Sequence, residues 1–208
     1  MLSPEWKISE NPVAYPDAIA AMESRVEAII MGGKPEMVWL LEHPALYTAG
    51  TSAKDKDLIA HNFPVFKSGR GGQFTYHGPG QQIGYVMLDL KRRNAADVRA
   101  YVQRLERWII DILKELTVDG FVREGRIGVW VETPAGEAKI AALGIRVRKW
   151  VTYHGISLNV NPNLEHYQGI VPCGIKEFGV TSLEALGVNI SAQKLHHIMR
   201  AEFEKLFL

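Results

Sequence analysis

The sequence predicts an α+β domain in which helices flank a mixed, largely antiparallel sheet. Three long segments carry apolar residues at helical spacing, and the shorter segments between them are apolar or alternating runs typical of strands. With 208 residues, 47% of them hydrophobic, the chain is long enough for a single domain over residues 1–208 with a substantial core.

In the first half of the chain, the sequence predicts a helix, then several strands, and then a second helix. Apolar residues at helical spacing predict a helix over residues 17–31, which Gly32 and Gly33 end. A buried strand over 37–42, a polar loop over 48–62 and a short strand over 64–67 follow. After a glycine-rich segment, a strand is expected over 83–90. A strongly amphipathic helix is predicted from residue 95 to about 116, with Asn94 as its N-cap.

The second half predicts strands followed by helices. Strands over 128–132 and 138–147 surround a tight turn at residues 133–136. Strict alternation over 156–160 predicts a strand with one buried and one polar face. Thr181 and Glu184 have the spacing of a capping box before a short helix that Gly187 ends, and a last amphipathic helix begins near Ser191.

Composition excludes several classes of function. The formal net charge of +1 gives no global field that would attract nucleic acid or an anionic membrane surface. The N-terminal residues lack the pattern of a signal peptide, and no apolar run reaches the length of a membrane span. A single cysteine forms no internal disulfide, which fits a reducing compartment. We therefore expect a cytoplasmic protein that binds neither nucleic acid nor membrane.

The segment over residues 68–82 contains five glycines together with Arg70, Thr75, Tyr76 and His77. It matches neither the phosphate-binding P-loop nor the dinucleotide-binding glycine pattern. Glycine lets a backbone approach a ligand closely, so the segment is interpreted as a binding loop, with a surface loop of tight turns as the alternative.

Cys173 and Lys139 are the candidates for covalent chemistry. A lone cysteine is by default a small buried hydrophobe, but Pro172 and Gly174 predict a bend that presents this side chain. Nucleophilic sulfur requires a nearby cation or base. Lys139, among small and apolar neighbours, is a candidate for that cation, although a lysine there is equally compatible with a side chain that reaches water.

His77 and His154 are further candidates, either as general bases or as hydrogen-bonding walls of a pocket, and a structural role is an equal alternative. A zinc site made from His77, His154 and Cys173 is a weak interpretation, because their separations match no common metal-ligand spacing. The sequence thus predicts no metal and no cofactor.

Four blocks of this sequence resemble the lipoyl(octanoyl) transferase family. The first runs from Arg70 to Gln82 and is followed by Tyr85; the others cover residues 139–146, 154–160 and 172–174. Their order and spacing also fit the family, as does the earlier Glu42-His43-Pro44. The resemblance extends over residues 38–186.

The resemblance implies the fold of the biotin and lipoate ligases. It also implies a reaction in which octanoyl passes from octanoyl-acyl carrier protein to a lysine of a lipoyl domain, in 2-oxoacid dehydrogenase complexes or in the glycine cleavage H protein. By position, Cys173 would carry the acyl thioester, and Lys139 would favour its thiolate. The implied substrate-binding residues are Arg70, Gly71, Gly72, Gln73, Phe74, Thr75, Tyr76, His77, Ala142, Leu143, Gly144, His154, Gly155, Ile156 and Ser157.

Two alternatives stay open at this point. An ATP-dependent lipoate or biotin ligase of the same fold would require ATP and a free acid. A non-catalytic module that binds carrier proteins would retain its function after replacement of Cys173.

Overall fold

The main sheet has eight strands in the computed structural model, which describes residues 3–171 and 179–208. The strands are β1 (Glu5–Ile8), β2 (Met37–Leu41), β6 (Gln81–Met87), β7 (Gly120–Arg123), β8 (Arg126–Thr133), β9 (Gly136–Arg148), β10 (Val151–Asn159) and β11 (Gly179–Val180). Seven of them follow the order β1-β2-β6-β10-β9-β8-β7, and β11 pairs with β9. The β1–β2 and β9–β11 pairs are parallel and the remaining pairs are antiparallel, which confirms the predicted mixed sheet.

A smaller sheet lies beside the main one. It consists of β3 (Leu46–Ala49) between β4 (Val65–Lys67) and β5 (Phe74–His77). Tyr47, Phe74 and Tyr76 from this sheet pack with Tyr167 and Ile170 into a separate apolar cluster. Strand β5 lies within the glycine-rich segment that the sequence analysis interpreted as a binding loop, and the last two residues of β3 lie in the predicted loop over 48–62. They are short strands in which the register is fixed by pairing with each other.

Three helices cover the main sheet on both faces. Helix α1 (Tyr15–Ile30) packs on one face against Trp39, Tyr85 and Tyr153 among others. Helices α2 (Val98–Glu115) and α3 (Ala192–Phe207) cover the other face, and the indole of Trp108 in α2 donates a hydrogen bond to the Met199 carbonyl at 2.8 Å. Every residue of β10 is therefore buried. The predicted alternation over 156–160 is present, but its polar side chains, Ser157 and Asn159, are buried as well as the apolar ones.

Several helix ends follow the predicted capping chemistry, with two corrections. The predicted capping box of Thr181 and Glu184 is wrong, because Leu183 is the N-cap of the 3-10 helix Glu184–Leu186 and the Ala185 amide donates to the Ser182 hydroxyl at 3.1 Å. Asp97, and not Asn94, caps α2, because its carboxylate accepts a hydrogen bond from the Ala100 amide. Asn94 has a positive φ of 54° and precedes the helix. Ser191 caps α3 as expected, and Gly187, with φ of 80°, ends the short 3-10 helix Glu184–Leu186.

Among the described residues, no helix is both long and apolar enough to cross a membrane.

Candidate functional site

A cavity opens where the glycine-rich segment meets the central strands, and we call it the histidine cavity. Its wall comes from α1, from the segment before and within β5, and from β6, β9 and β10. It is lined by Tyr15, Arg70, Gly72, Gln73, Phe74, Thr75, His77, Ile83, Tyr85, Ala142, Leu143, Gly144, His154, Gly155, Ile156 and Ser157. Residues 70–77, 142–144 and 154–157, which are far apart in the sequence, therefore come together.

The buried side chain of Arg70 fixes the conformation of the glycine-rich segment by hydrogen bonds to its backbone. Its guanidinium donates to the Thr48 carbonyl at 3.0 Å, to the Thr48 hydroxyl at 2.6 Å, and to the carbonyls of Gly71 and Gln73 at 2.9 Å each. Only 7% of the residue is exposed, so these bonds form away from bulk water. Charge-assisted hydrogen bonds are stronger than neutral ones, and Arg70 thus fixes both the segment and its neighbour β3.

Two glycines that line the histidine cavity allow close contacts of β9 and β10 with their neighbours. Gly144 in β9 pairs with Gly155 in β10. A Cβ on Gly144 would lie 2.7 Å from Cδ of Arg70, and one on Gly155 would overlap the Gly84 carbonyl of β6. Side chains at these positions would displace Arg70 or separate the strands, which explains why the sequence has glycine there.

The histidines of the cavity are neutral. Burial holds the pKa of His77 well below its ordinary value, and the neighbouring His43 lowers it further. Burial also lowers the pKa of His154 to about 3, with help from the positive charges of Arg70 and Arg146. Burial lowers the pKa of His43 as well. These side chains supply hydrogen-bonding groups to the cavity wall without adding charge.

His154 also adopts an unusual backbone conformation. Its φ is 60°, and its ring stacks on Tyr153 at a centroid distance of 5.3 Å. A positive φ in a residue other than glycine costs about 1–3 kcal/mol and persists only where the surroundings enforce it. Such strain is concentrated at functional sites.

The hydrogen bonds of His43 fix its tautomer. Its Nδ1 lies 2.6 Å from the Val13 carbonyl, which only accepts, so Nδ1 carries the proton. Its Nε2 then accepts from the Tyr85 hydroxyl at 2.7 Å. This hydrogen bond fixes the position of the Tyr85 hydroxyl, and Tyr85 lines the histidine cavity.

Lys139 lies in a second cavity, which we call the lysine cavity. It is bounded by Ser52, Gly71, Gly72, Gln73, Val102, Gly125, Arg126, Ile127, Lys139, Leu143, Gly144 and Ile145. The two cavities share Gly72 and Gln73 on one side and Leu143 and Gly144 on the other. A molecule that occupied both would cross this shared rim.

The Lys139 amine has a defined position in β9. Its Nζ donates to the Ile127 carbonyl at 2.9 Å and lies 4.7 Å from the centre of the Trp130 ring, and the residue is 6% exposed. The β8–β9 register shifts between Val129 and Trp130, whose partners are Ala141 and Lys139, so Ile140 is the extra residue of a bulge. Bulges redirect neighbouring side chains, and this one is adjacent to Lys139.

Gly128 of β8 provides the space for the Lys139 side chain. Its φ is 123°, and a Cβ there would lie 2.8 Å from the Ala141 carbonyl oxygen and 3.1 Å from Cε of Lys139. The glycine is therefore required both by its backbone conformation and by the lysine beside it.

Most of the predicted substrate-binding residues line the histidine cavity. Gly71 lines the lysine cavity instead, and Tyr76 lies in the apolar cluster of the small sheet, where burial raises its pKa to about 12. Cys173, Pro172 and Gly174 lie outside the described residues. Sequence reasoning missed Tyr15, Ile83 and Tyr85 as lining residues, although Tyr85 follows the first motif. Tyr15 precedes the predicted start of the first helix, and Ile83 resembles any other core residue of a strand.

Within the described ranges, no group of three or more His, Cys, Asp or Glu side chains is placed to hold a metal ion.

Sequence comparisons identify relatives over nearly the whole chain. Residues 14–204 match the family model described as the lipoyl protein ligase A/B catalytic domain. An octanoyltransferase of Parvibaculum lavamentivorans is 58% identical over 99% of this chain and 93% of its own length. An octanoyltransferase of Caulobacter vibrioides is 58% identical over 97% of this chain and 91% of its own.

Solved structures with the same fold include lipoate protein ligases. A putative lipoate protein ligase from T. acidophilum with bound lipoic acid has a TM-score of 0.74 at 15% identity, covering 98% of this chain and 85% of that one. Lipoate-protein ligase A bound with ATP has a TM-score of 0.70 at 14% identity, covering 97% and 85%. These similarities concern the fold.

Proposed function

Because this chain belongs to the lipoyl protein ligase A/B catalytic-domain family, we propose that it transfers octanoyl groups to protein lysines for lipoylation, using Cys173 as acyl carrier and Lys139 as its partner. It is an acyltransferase, as its relatives that are more than half identical are octanoyltransferases. Its partners are in general terms an acyl carrier protein and lipoyl domains. The family's donor, octanoyl-acyl carrier protein, and the acceptors in 2-oxoacid dehydrogenase complexes and the glycine cleavage H protein are the specific partners we propose.

The position of Lys139 carries this proposal. Its amine is buried in the lysine cavity, which shares four lining residues with the histidine cavity. The described chain resumes at Gly179, which pairs with Ala138, and the Thr181 amide donates to the Lys139 carbonyl at 2.9 Å. The chain that follows Cys173 thus returns to the strand of Lys139. Both facts support a role of the two residues in one reaction.

Two transfer steps follow from this pairing. The Cys173 thiolate attacks the thioester carbonyl of the donor, forms a new thioester and releases the donor thiol, which takes up a proton. The acceptor lysine, as the free amine, then attacks the Cys173 thioester, forms an amide and regenerates the thiolate. A positive Lys139 amine near the sulfur would favour the thiolate, and in its neutral form it would accept the proton that the attacking amine loses. No ATP is consumed, because the donor is already activated.

We assign the acyl tail to the histidine cavity. Phe74, Ile83 and Tyr85 offer apolar surface there, and the histidines are neutral, so the tail meets no ion in its wall apart from Arg70, which is occupied by backbone carbonyls. Burial of a methylene contributes about 0.8 kcal/mol, so the depth of the cavity would set the preferred chain length. The acceptor lysine would approach through the lysine cavity. We propose a cytoplasmic location for the reaction.

Mass spectrometry of the intact protein tests this function. Incubation with octanoyl-acyl carrier protein should add one octanoyl group, located at Cys173 by peptide mapping and missing from Cys173→Ala. An adduct that persists in Cys173→Ala would overturn the assignment. A strict requirement for ATP and free octanoate would indicate a ligase instead.

The contribution of Lys139 is tested separately. Lys139→Met should slow alkylation of Cys173 near neutral pH and move its pH profile to higher pH, because the thiolate loses its cation. Lys91→Met, at an exposed lysine remote from both cavities, is the matched control and should leave the profile unchanged. An unchanged profile in Lys139→Met would refute the proposed role.

A further inference from the structure

A buried polar network leads away from His77 towards the chain on both sides of Cys173. His77 Nδ1 lies 2.7 Å from Oε1 of Gln81, and Nε2 of Gln81 donates to Oδ1 of Asn159 at 2.9 Å and to the Tyr167 hydroxyl at 2.7 Å. Asn159 Nδ2 donates to the Thr181 carbonyl at 2.9 Å. All five residues are buried, and Gln81 is fully inaccessible to solvent.

Donor and acceptor roles in this network are mutually consistent. The Tyr167 hydroxyl accepts from Gln81 and donates to Asn159 Oδ1 at 2.9 Å, so that oxygen receives two hydrogen bonds. Because the Gln81 amide nitrogen supplies the donors, its Oε1 is the acceptor, and His77 Nδ1 must carry a proton. The His77 ring therefore keeps its Nε2 unprotonated. A fully satisfied buried network of this kind fixes the positions of its members closely.

The network reaches two different parts of the chain. Tyr167 belongs to the 3-10 helix Leu164–Gly169, which precedes Val171, the last described residue before Cys173. Thr181 follows β11, where the chain is described again. The backbone of Asn159 contributes as well, since the Leu183 amide donates to its carbonyl at 3.0 Å. One asparagine thus contacts the chain before and after residues 172–178.

We infer that Gln81 and Asn159 are positioning residues for the transfer reaction. They hold the chain on both sides of Cys173 in a fixed relation to His77 in the histidine cavity and, through Thr181, to Lys139. This inference rests on the proposed role of Cys173. The reaction requires sulfur and amine at a defined separation, and an error of about 1 Å in such geometry can reduce the rate by about a hundredfold.

Tyr167→Phe tests the inference with a minimal change, because it removes one hydroxyl from the network and retains the ring. Tyr47→Phe is the matched control. The Tyr47 hydroxyl lies in the same apolar cluster and donates to the His166 carbonyl of the same 3-10 helix at 2.7 Å, which places its hydrogen bond on the backbone and outside the Gln81–Asn159 network. Tyr167→Phe loses the hydroxyl that bonds Gln81 and Asn159, and Tyr47→Phe loses one bond to the backbone, so each rate is compared with the stability lost by the same variant.

The measurements are the rate of Cys173 alkylation across pH, without donor, and the single-turnover rate of octanoyl transfer to Cys173. Tyr167→Phe should reduce the single-turnover rate by about tenfold with little change in donor KM, whereas Tyr47→Phe should stay within about twofold of the parent. The alkylation profile of Tyr167→Phe should also differ from the parent profile.

Equal effects of the two substitutions, in proportion to lost stability, would show that the network only supports the fold and would overturn the inference. Failure of the proposed function looks different: the unsubstituted protein would then form no octanoyl adduct at Cys173 at all. Asn159→Asp gives a second measurement, because aspartate retains the oxygen that Tyr167 contacts but cannot donate to the Thr181 carbonyl. It should slow transfer as well, and an unchanged rate would count against Asn159.

Discussion

Replacing Gly128 by alanine should impair Lys139 without changing the lysine itself. The new methyl group would lie 3.1 Å from Cε of Lys139 and 2.8 Å from the Ala141 carbonyl oxygen, both closer than ordinary van der Waals contact. The lysine side chain can give way, but the carbonyl belongs to β9 and cannot move without the strand. We therefore expect the amine to leave its position beside the Ile127 carbonyl.

Gly136→Ala is the matched control for this change. Gly136 begins β9 at the turn after β8, lines neither cavity and has a φ of 103°, and a methyl group added there would meet no described heavy atom beyond its chain neighbours within 4 Å. Both substitutions place alanine at a positive φ, which costs about 1–3 kcal/mol. Only Gly128→Ala adds overpacking, worth about 1–3 kcal/mol more. At about 2–4 °C per kcal/mol for a chain of this size, an extra 2 kcal/mol lowers Tm by about 4–8 °C.

Thermal unfolding and the pH profile of Cys173 alkylation form the assay. Gly128→Ala should show the larger loss of Tm, and its alkylation profile should move to higher pH, as in Lys139→Met. Gly136→Ala should lose less stability and keep the parent profile. If both alanines moved the profile equally, or if Gly128→Ala kept the parent profile, the space around Lys139 would have no bearing on the thiol.

The histidines and one ion pair give two further predictions. Because the folded pKa of His154, about 3, is below its unfolded value, the unfolded state binds the extra proton, and stability is lost as pH falls below about 6.5. In urea titrations from pH 5.5 to 4, this histidine should contribute a slope of about 1.4 kcal/mol per pH unit, and His154→Asn, which tolerates positive φ, should remove that part of the slope. Glu36→Gln should cost about 3–5 kcal/mol in urea unfolding, because it removes the buried carboxylate that lies 2.6 Å from the Arg93 guanidinium. Glu204→Gln, which breaks an exposed pair with Arg200, should cost less than about 0.5 kcal/mol, and equal losses would contradict the argument from burial.

The sequence predicts the helices and the long strands well, because each has a pattern that depends on its own residues. The apolar stripe of α2 and the turn at residues 133–136 are local signals, and both are confirmed. Strands β3 and β5 escape prediction, since each has only four residues and exists through its pairing with the other. The apolar periodicity predicts that α2 begins at residue 95, which makes Asn94 the N-cap. In the structure the helix begins three residues later, after a turn that has no periodic signal, and Asp97 is the N-cap.

The sequence predicts most of the residues of the candidate site, but it does not predict that they line two separate cavities. Motifs identify the residues around the histidine cavity, yet nothing in a motif separates them from the lysine cavity, which depends on the β7–β8 hairpin and on Val102 of α2. The network of Gln81, Asn159 and Tyr167 joins three distant segments by side-chain hydrogen bonds, and such contacts have no sequence periodicity. The assignment of Cys173 stays a prediction.

The hydrogen bonds of Arg70 to the Thr48, Gly71 and Gln73 carbonyls affect how tightly the glycine-rich segment can bind a ligand. A glycine-rich segment has many accessible conformations, and ordering it around a ligand would oppose binding by about 1–2 kcal/mol for each residue fixed. In this protein the Arg70 guanidinium already orders the segment without a ligand, which is the shape in which we propose that it receives the acyl group. Interaction energy with the substrate is then available for holding the thioester at the reacting atoms, since little of it is consumed in organising the loop.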